Sequence, residues 1–205
     1  GKEAVGEMCC LGRCHENSAF HVNGQNYSGN DIEHFGDIID VEAPSHEKYN
    51  VGQIGTPILT AEAQDKASLT AIVKKALGLE PSEVLELLKD SNLRGRGGAG
   101  FPIWFKLDAV RKAEGEPKFI VCNADEGDPG AYSDRYLMEQ RPYLVLLGML
   151  IAGYAAGATK GVIYIRGEYP ESVTIIQKAI VVLHARRLAD AMAECGCTLN
   201  NAYMQ

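Results

Sequence analysis

Lys118-Phe119-Ile120-Val121-Cys122-Asn123-Ala124-Asp125-Glu126-Gly127-Asp128-Pro129-Gly130 is the stretch that decides the fold. Its first five residues form a short apolar run and predict a buried β-strand. Its last eight are acidic and rich in turn formers, so they predict a loop at the strand's carboxyl end. Downstream, Gly161-Val162-Ile163-Tyr164-Ile165 predicts a second buried strand. Between the two lies an uncharged stretch from Pro142 to Thr159. It falls short of the ~20 residues that span a bilayer. It also carries Gly148, Gly153 and Gly157, and it reads as a buried helix. Val173, Ile176, Ile180 and Leu183 mark one face of a final helix. Strand and helix alternating in this way predict an α/β sandwich with a mainly parallel sheet.

Upstream, Leu69, Ile72, Val73, Ala76 and Leu77 recur at helical spacing, with Gly78 as a stop. Pro81 suits the first position of a second helix, with Glu83 in its first turn and Val84, Leu85 and Leu88 on its buried face. Pro102 suits the first turn of another. Nearer the start, Phe20-His21-Val22 and Gly36-Asp37-Ile38-Ile39-Asp40-Val41 are read as short strands, and Asn23-Gly24 between them is a hairpin signal. The polar segment from Pro44 to Pro57 reads as a linker.

The 205 residues are 46% apolar and 23% charged, an ordinary globular composition. Twenty Lys+Arg stand against 27 Asp+Glu, a formal net charge of −7. An acidic chain without a basic run is a poor duplex nucleic-acid binder, so small-molecule and protein partners are expected. Six cysteines are too few for a disulfide scaffold. No signal peptide is visible, and the cytoplasm, or the cytoplasmic face of a membrane complex, is the expected location. The chain starts at Gly1 and reads as a piece of something longer. The five histidines show no ligand spacing.

Two turns carry chemistry. Gly95-Arg96-Gly97-Gly98-Ala99-Gly100 fits G-x-G-x-x-G, but a helical segment rather than a strand precedes it, so the dinucleotide fingerprint is incomplete. Four glycines let a ligand reach the backbone N–H groups. A helix start and the charges of Arg94 and Arg96 favour an anion. A flexible surface loop is the alternative. In the second turn, Asn123, Asp125, Glu126 and Asp128 sit where open α/β sheets bind ligands. They would accept hydrogen bonds from hydroxyls and ring N–H groups and repel phosphate, which the glycine turn would take. A Mg²⁺ or Ca²⁺ site and a solvated turn are the alternatives, and EF-hand spacing is lacking.

The segment Ser91-Asn92-Leu93-Arg94 through Gly100-Phe101-Pro102 resembles the signature of the 51 kDa-type flavin-binding subunit of respiratory complex I. NAD-reducing hydrogenases and NAD-dependent formate dehydrogenases carry the same module. Asn123 to Gly130, Ser133-Asp134-Arg135, Met138-Glu139, Gly148 to Ala152 and Tyr164 to Tyr169 follow in the family's order. The resemblance implies a partial Rossmann-like FMN-binding α/β sandwich. It implies that Gly95, Arg96, Gly97, Gly98, Ala99 and Gly100 lie against FMN and the nicotinamide nucleotide, with Phe101 near the nucleotide and Lys106 reaching the flavin. Asn123 and Asp125 match FMN-bonding positions. Glu126 matches a carboxylate close to the flavin and nicotinamide rings, and so takes the catalytic role. Asp128 stands where many members carry Glu. The implied reaction is hydride transfer between NAD(H) and FMN, with electrons passed to iron–sulfur clusters.

Cys10-Leu11-Gly12-Arg13-Cys14 resembles the latter half of the site in thioredoxin-like [2Fe–2S] ferredoxin domains fused ahead of such modules. Cys10 and Cys14 would be metal ligands only if further cysteines were supplied upstream. The expected organisation is a remnant of that ferredoxin domain over 1–43, a linker over 44–67 and the N-terminal part of the FMN/NAD-binding domain over 68–205. The chain departs from the family at Ile103-Trp104-Phe105, where Thr-Gly and a small apolar residue are usual. Neither a second flavin-cradling segment nor the C-x-x-C-x-x-C run for a [4Fe–4S] cluster is present. Partner subunits of a multi-subunit NAD-linked redox complex are implied, without a membrane span. Two other readings are a non-catalytic interaction piece and an isolated iron–sulfur carrier.

Overall fold

An antiparallel hairpin, β1 (Phe20–Val22) and β2 (Gln25–Tyr27), stands near the start of the chain in this computed structural model. The structure describes residues 10–16, 18–41, 49, 51–62, 65–128, 130–185 and 198–199. Cys9, His46, Cys195, Cys197 and most of the 44–50 stretch lie outside the described residues. Asn23 (φ 48°) and Gly24 (φ 85°) form the two-residue turn, both in the left-handed region that a type I′ hairpin requires. The strand it leads into is Gln25–Tyr27 rather than the expected Gly36–Val41. Residues 36–41 belong instead to helix α1 (Phe35–Val41). A capping box explains the change. Ser28 N–H donates to Asp31 Oδ2 and Asn30 N–H donates to Ser28 Oγ, which starts a 3-10 turn (Gly29–His34) that runs on into α1. Helical spacing then buries Ile38 and exposes Ile39.

Helix α2 (Lys66–Leu77) is capped by Asp65, whose Oδ1 accepts from Ser68 N–H. Helix α3 (Pro81–Asp90) starts with proline and a Glu80/Glu83 capping box. Helix α4 (Ile103–Lys112) follows, with Pro102 immediately before it. Strand β3 (Phe119–Ala124), helix α5 (Ser133–Gln140), helix α6 (Pro142–Ala156), strand β4 (Lys160–Ile165), helix α7 (Pro170–Ala185) and strand β5 (Thr198–Leu199) complete the order. The three strands form one parallel sheet, order β3-β4-β5, with Ala124 opposite Ile165.

The uncharged stretch is indeed a buried helix, and it is central. Leu147 and Leu150 of α6 pack on Val73 of α2, and Ala155 and Ala156 on Val84, Leu85 and Leu107 of α3 and α4. Leu146 and Met149 meet Ile163, Ile176 and Ile180 of the sheet and α7. Gly157 ends it at φ 68°, and Ala158 N–H returns to Gly153 O. No described helix is long and apolar enough to cross a membrane.

Strand β3 differs from expectation in burial. Ile120, Cys122 and Ala124 face the α5–α7 core, whereas Phe119 is 46% and Val121 61% exposed on the opposite face. The period-2 alternation of a strand makes the second face of β3 open among the described residues.

The N-terminal hairpin is fixed to the sheet layer by buried polar groups. Arg13 bonds Glu16, Asn26 O and Glu171. Arg135 of α5 bonds Glu139, Gly12 O and Glu171 of α7. Asn26 Nδ2 donates to both Leu11 O and Glu168 O. Both arginines are fully covered, and each is paired, which is the condition for burying a charge.

Candidate functional site

The glycine turn is closed at its base by main-chain bonds. Gly95 N–H donates to Phe101 O at 2.9 Å, and Ile103 N–H to Leu93 O at 3.2 Å. Arg94 Nη1 reinforces the neck by donating to Gly100 O at 3.1 Å. The tip, residues 96–99, is exposed. Gly98 (φ 110°) and Gly100 (φ 59°) take conformations that side chains resist. A Cβ placed on Gly97, Gly98 or Gly100 would meet nothing within 4 Å. The turn therefore stands clear of the other described residues and can be approached closely. Helix α3 precedes it, so the strand of the dinucleotide fingerprint is absent here, as the sequence indicates.

Cations gather on this turn. Arg96 and Lys106 have no carboxylate partner among the described residues, and Arg94 bonds only the backbone. Lys106 Nζ sits 5.6 Å from the Phe101 ring centre, and Phe101 meets Phe105 edge-on at 5.7 Å. Phe101 and Phe105 are exposed. Trp104 is half-buried and turned to α3, with Lys89 Nζ 5.4 Å from its ring centre.

The acidic turn leaves the end of β3. Asn123 Oδ1 accepts from Asp125 N–H at 3.2 Å and sets the bend. Asp125 and Asp128 are exposed. Glu126 is engaged instead. Its two carboxylate oxygens accept from Ser133 Oγ at 2.6 Å and Asp134 N–H at 2.9 Å, so it caps α5. Burial, and then the Glu126 charge, raise the Asp134 carboxyl above the usual carboxylate range. Burial, and then Asp134, push the Cys122 thiol up.

Arg166, the first residue past β4, is the group that sequence reasoning left without a role. Its Nη1 donates to Glu126 O at 2.6 Å, its Nε lies 3.6 Å from Asp125 Oδ1, and its Nη2 bonds Glu168 at 3.0 Å. Partial burial opposes its charge, yet Glu168 and Tyr169 hold its pKa above the ordinary guanidinium value. The signal was in the register. Ala124 pairs with Ile165, so the residues following each, Asp125 and Arg166, emerge side by side.

Connectivity links the two turns. α4 leads from the glycine turn to Arg111, whose carbonyl accepts from Lys118 Nζ, and β3 leads from there to the acidic turn. By donor chemistry the residues suit a phosphorylated flavin: bare N–H groups and cations for the phosphate, carboxylates and an amide for hydroxyls and ring N–H groups. Two cysteines of the expected cluster segment fall among the described residues. Cys10 and Cys14 are free thiols, Cys10 half-buried and Cys14 exposed, and a [2Fe–2S] cluster needs four ligands. No group of three or more metal-ligating side chains occurs among the described residues.

A parallel α/β layer with an anion-receptive turn and a carboxylate turn past its strand end defines a nucleotide-cofactor module. The chain belongs to the Complex1_51K family, the Nuo51 FMN-binding domain, whose model matches residues 88–203. It is 49% identical over 113 residues to an NADH-quinone oxidoreductase subunit of Rhizobium meliloti, covering 55% of this chain and 27% of that protein. It is 48% identical over 104 residues to the NAD-reducing hydrogenase HoxS subunit alpha of Cupriavidus necator, covering 51% of this chain and 17% of that one. The fold superimposes on a NAD+-reducing [NiFe]-hydrogenase in the H2-reduced state with a TM-score of 0.71 and 29% identity, over 97% of this chain and 35% of the other. The chain thus spans a minor part of the length of each relative.

Proposed function

We propose that the chain is the cofactor-cradling part of an NADH:acceptor oxidoreductase module, with FMN between its two turns and NAD(H) as hydride partner. The observation that carries this reading is the glycine turn, open at Gly97, Gly98 and Gly100, with Arg94, Arg96 and nearby Lys106 facing no carboxylate partner among the described residues. The end of α4 and the start of β3 meet at the Arg111–Lys118 contact. Ten helical residues span about 15 Å and six strand residues about 20 Å, so both turns stand a similar distance from that point.

Bound FMN would supply the hydride and single-electron chemistry. The chain's own residues bind and orient. The backbone N–H groups of 96–100, with Arg96 and Lys106, neutralise phosphate charge. Asn123 and Asp125 accept hydrogen bonds from the flavin, and Asp128 accepts at the rim. Phe101 offers a ring face to the nucleotide. Glu126, the carboxylate expected at the rings, holds the start of α5 and through it the shape of the turn. In the domain organisation we favour, residues 1–43 are the ferredoxin remnant and 68–205 the flavin part, joined by 44–67. Partner subunits would supply the iron–sulfur acceptors, and the assembly would work in the cytoplasm or on its membrane face.

Anaerobic addition of NADH to the chain reconstituted with FMN tests the reading. Flavin absorbance should bleach and recover with ferricyanide. Bound flavin that NADH fails to bleach would contradict it. The engaged state of Glu126 favours one second reading, a docking piece that binds partner subunits and no flavin. That reading predicts complex formation with no flavin uptake.

A further inference from the structure

We infer that Arg166 is a positioning residue that holds the acidic turn in its cofactor-facing shape. The functional part of this inference rests on the flavin reading above. The argument is one of geometry and charge. A single guanidinium contacts two consecutive residues of the turn: Glu126 through its carbonyl at 2.6 Å and Asp125 through its carboxylate at 3.6 Å. Its third side is tied to Glu168 at 3.0 Å. Its plane lies near the Tyr169 ring, centre to centre 5.5 Å, and the Tyr169 hydroxyl also reaches Glu126 O, at 3.5 Å.

The anchor itself is closely packed. Tyr169 is fully buried, with Arg135 5.0 Å from its ring centre and Gly12 packed so closely that a Cβ there would stand 2.7 Å from Tyr169 Cε1. Among the described residues the turn has few other long-range contacts. Asp125, Gly127 and Asp128 are exposed, and beyond the Glu126 carboxylate its other bonds are the short-range Asp125–Asn123 and Ala131–Asp128 contacts. Only a planar fork with several donors can serve Glu126 O, Asp125 and Glu168 together, and a lysine ammonium on a flexible stem cannot. The clamp therefore depends on geometry more than on charge.

The test compares the full chain with its Arg166→Gln and Arg166→Lys variants by peptide-resolved hydrogen exchange, followed by FMN titration. Exchange across residues 125–131 should rise about 10-fold in Arg166→Gln, with α6 and α7 unchanged. Arg166→Lys should resemble Arg166→Gln more than the parent. FMN should dissociate roughly 10- to 100-fold more readily from both, the range for losing charge-assisted hydrogen bonds. Parent-like exchange in the turn of Arg166→Gln overturns the inference, whether or not flavin binds. Loss of protection throughout the chain in both variants also overturns it, since Arg166 would then be a general fold element. If the parent takes up no FMN while the turn loosens as described, the flavin reading fails and the clamp stands.

Discussion

His15 shows how one side chain ties the cysteine segment to the protein's pH response. Its ring stacks on Tyr49 at 5.7 Å and meets Tyr132 at 4.6 Å. Burial lowers its pKa from 6.5, against Glu16, which raises it, and with Arg135 and Arg13, which lower it. The folded state therefore binds this proton less readily than the unfolded chain. Stability from neutral His15 is complete above pH 6.5 and declines as pH falls from there through the folded-state pKa. His15→Phe keeps a ring and removes the titration. Its thermal midpoint should change less than the parent's between about pH 7.5 and 5.5. An equal change in both proteins would remove His15 as the cause. At this scale the sequence was partly legible. Asp125 and Asp128 emerged as exposed acids from the strand-end rule. The engagement of Glu126 did not, because its partners, Ser133 and Asp134, lie on a helix whose polar face hid it.

Among the elements, α5, α7 and the N-terminal hairpin meet on a buried ionic clasp. Arg135 reaches Glu139, Gly12 O and Glu171 from one side, and Arg13 reaches Glu171 from the other. Arg135→Ala would remove the cation from Glu139 and leave Glu171 with Arg13 alone, and breaking a buried pair costs about 3–5 kcal/mol. Urea unfolding should show that loss, and a loss below about 1 kcal/mol would show the clasp to be dispensable. The clasp also explains which elements were legible. α2, α3 and α7 announce themselves by apolar periodicity, and α6, β3 and β4 by apolar or uncharged runs, because their burial is apolar. β2 and α5 do not. Asn26 is buried through bonds to Leu11 O and Glu168 O, and Arg135 through its carboxylates, so polar residues occupy positions that periodicity reads as surface. Residues 36–41 failed for another reason: a short run rich in Ile and Val does not separate strand from helix, and the upstream Ser28/Asp31 box decided it.

Across the molecule, a single uncharged helix gathers three apolar clusters and carries a parallel sheet whose strand ends present the acidic turn. The glycine turn was legible because its chemistry is backbone chemistry, visible as four glycines among arginines. The open face of β3 was not, because apolar residues such as Phe119 and Val121 read as buried whether or not anything covers them. Gly97 offers the most direct test of the account. It is exposed, its added Cβ would meet nothing, and so Gly97→Val fills the cradle without disturbing the fold. The deciding measurement is a flavin-fluorescence titration of FMN with the parent chain and with Gly97→Val, at matched thermal stability. The account predicts saturable quenching by the parent and binding weakened at least about 10-fold in the variant. Equal affinity in the two proteins, or no quenching by the parent, would contradict it.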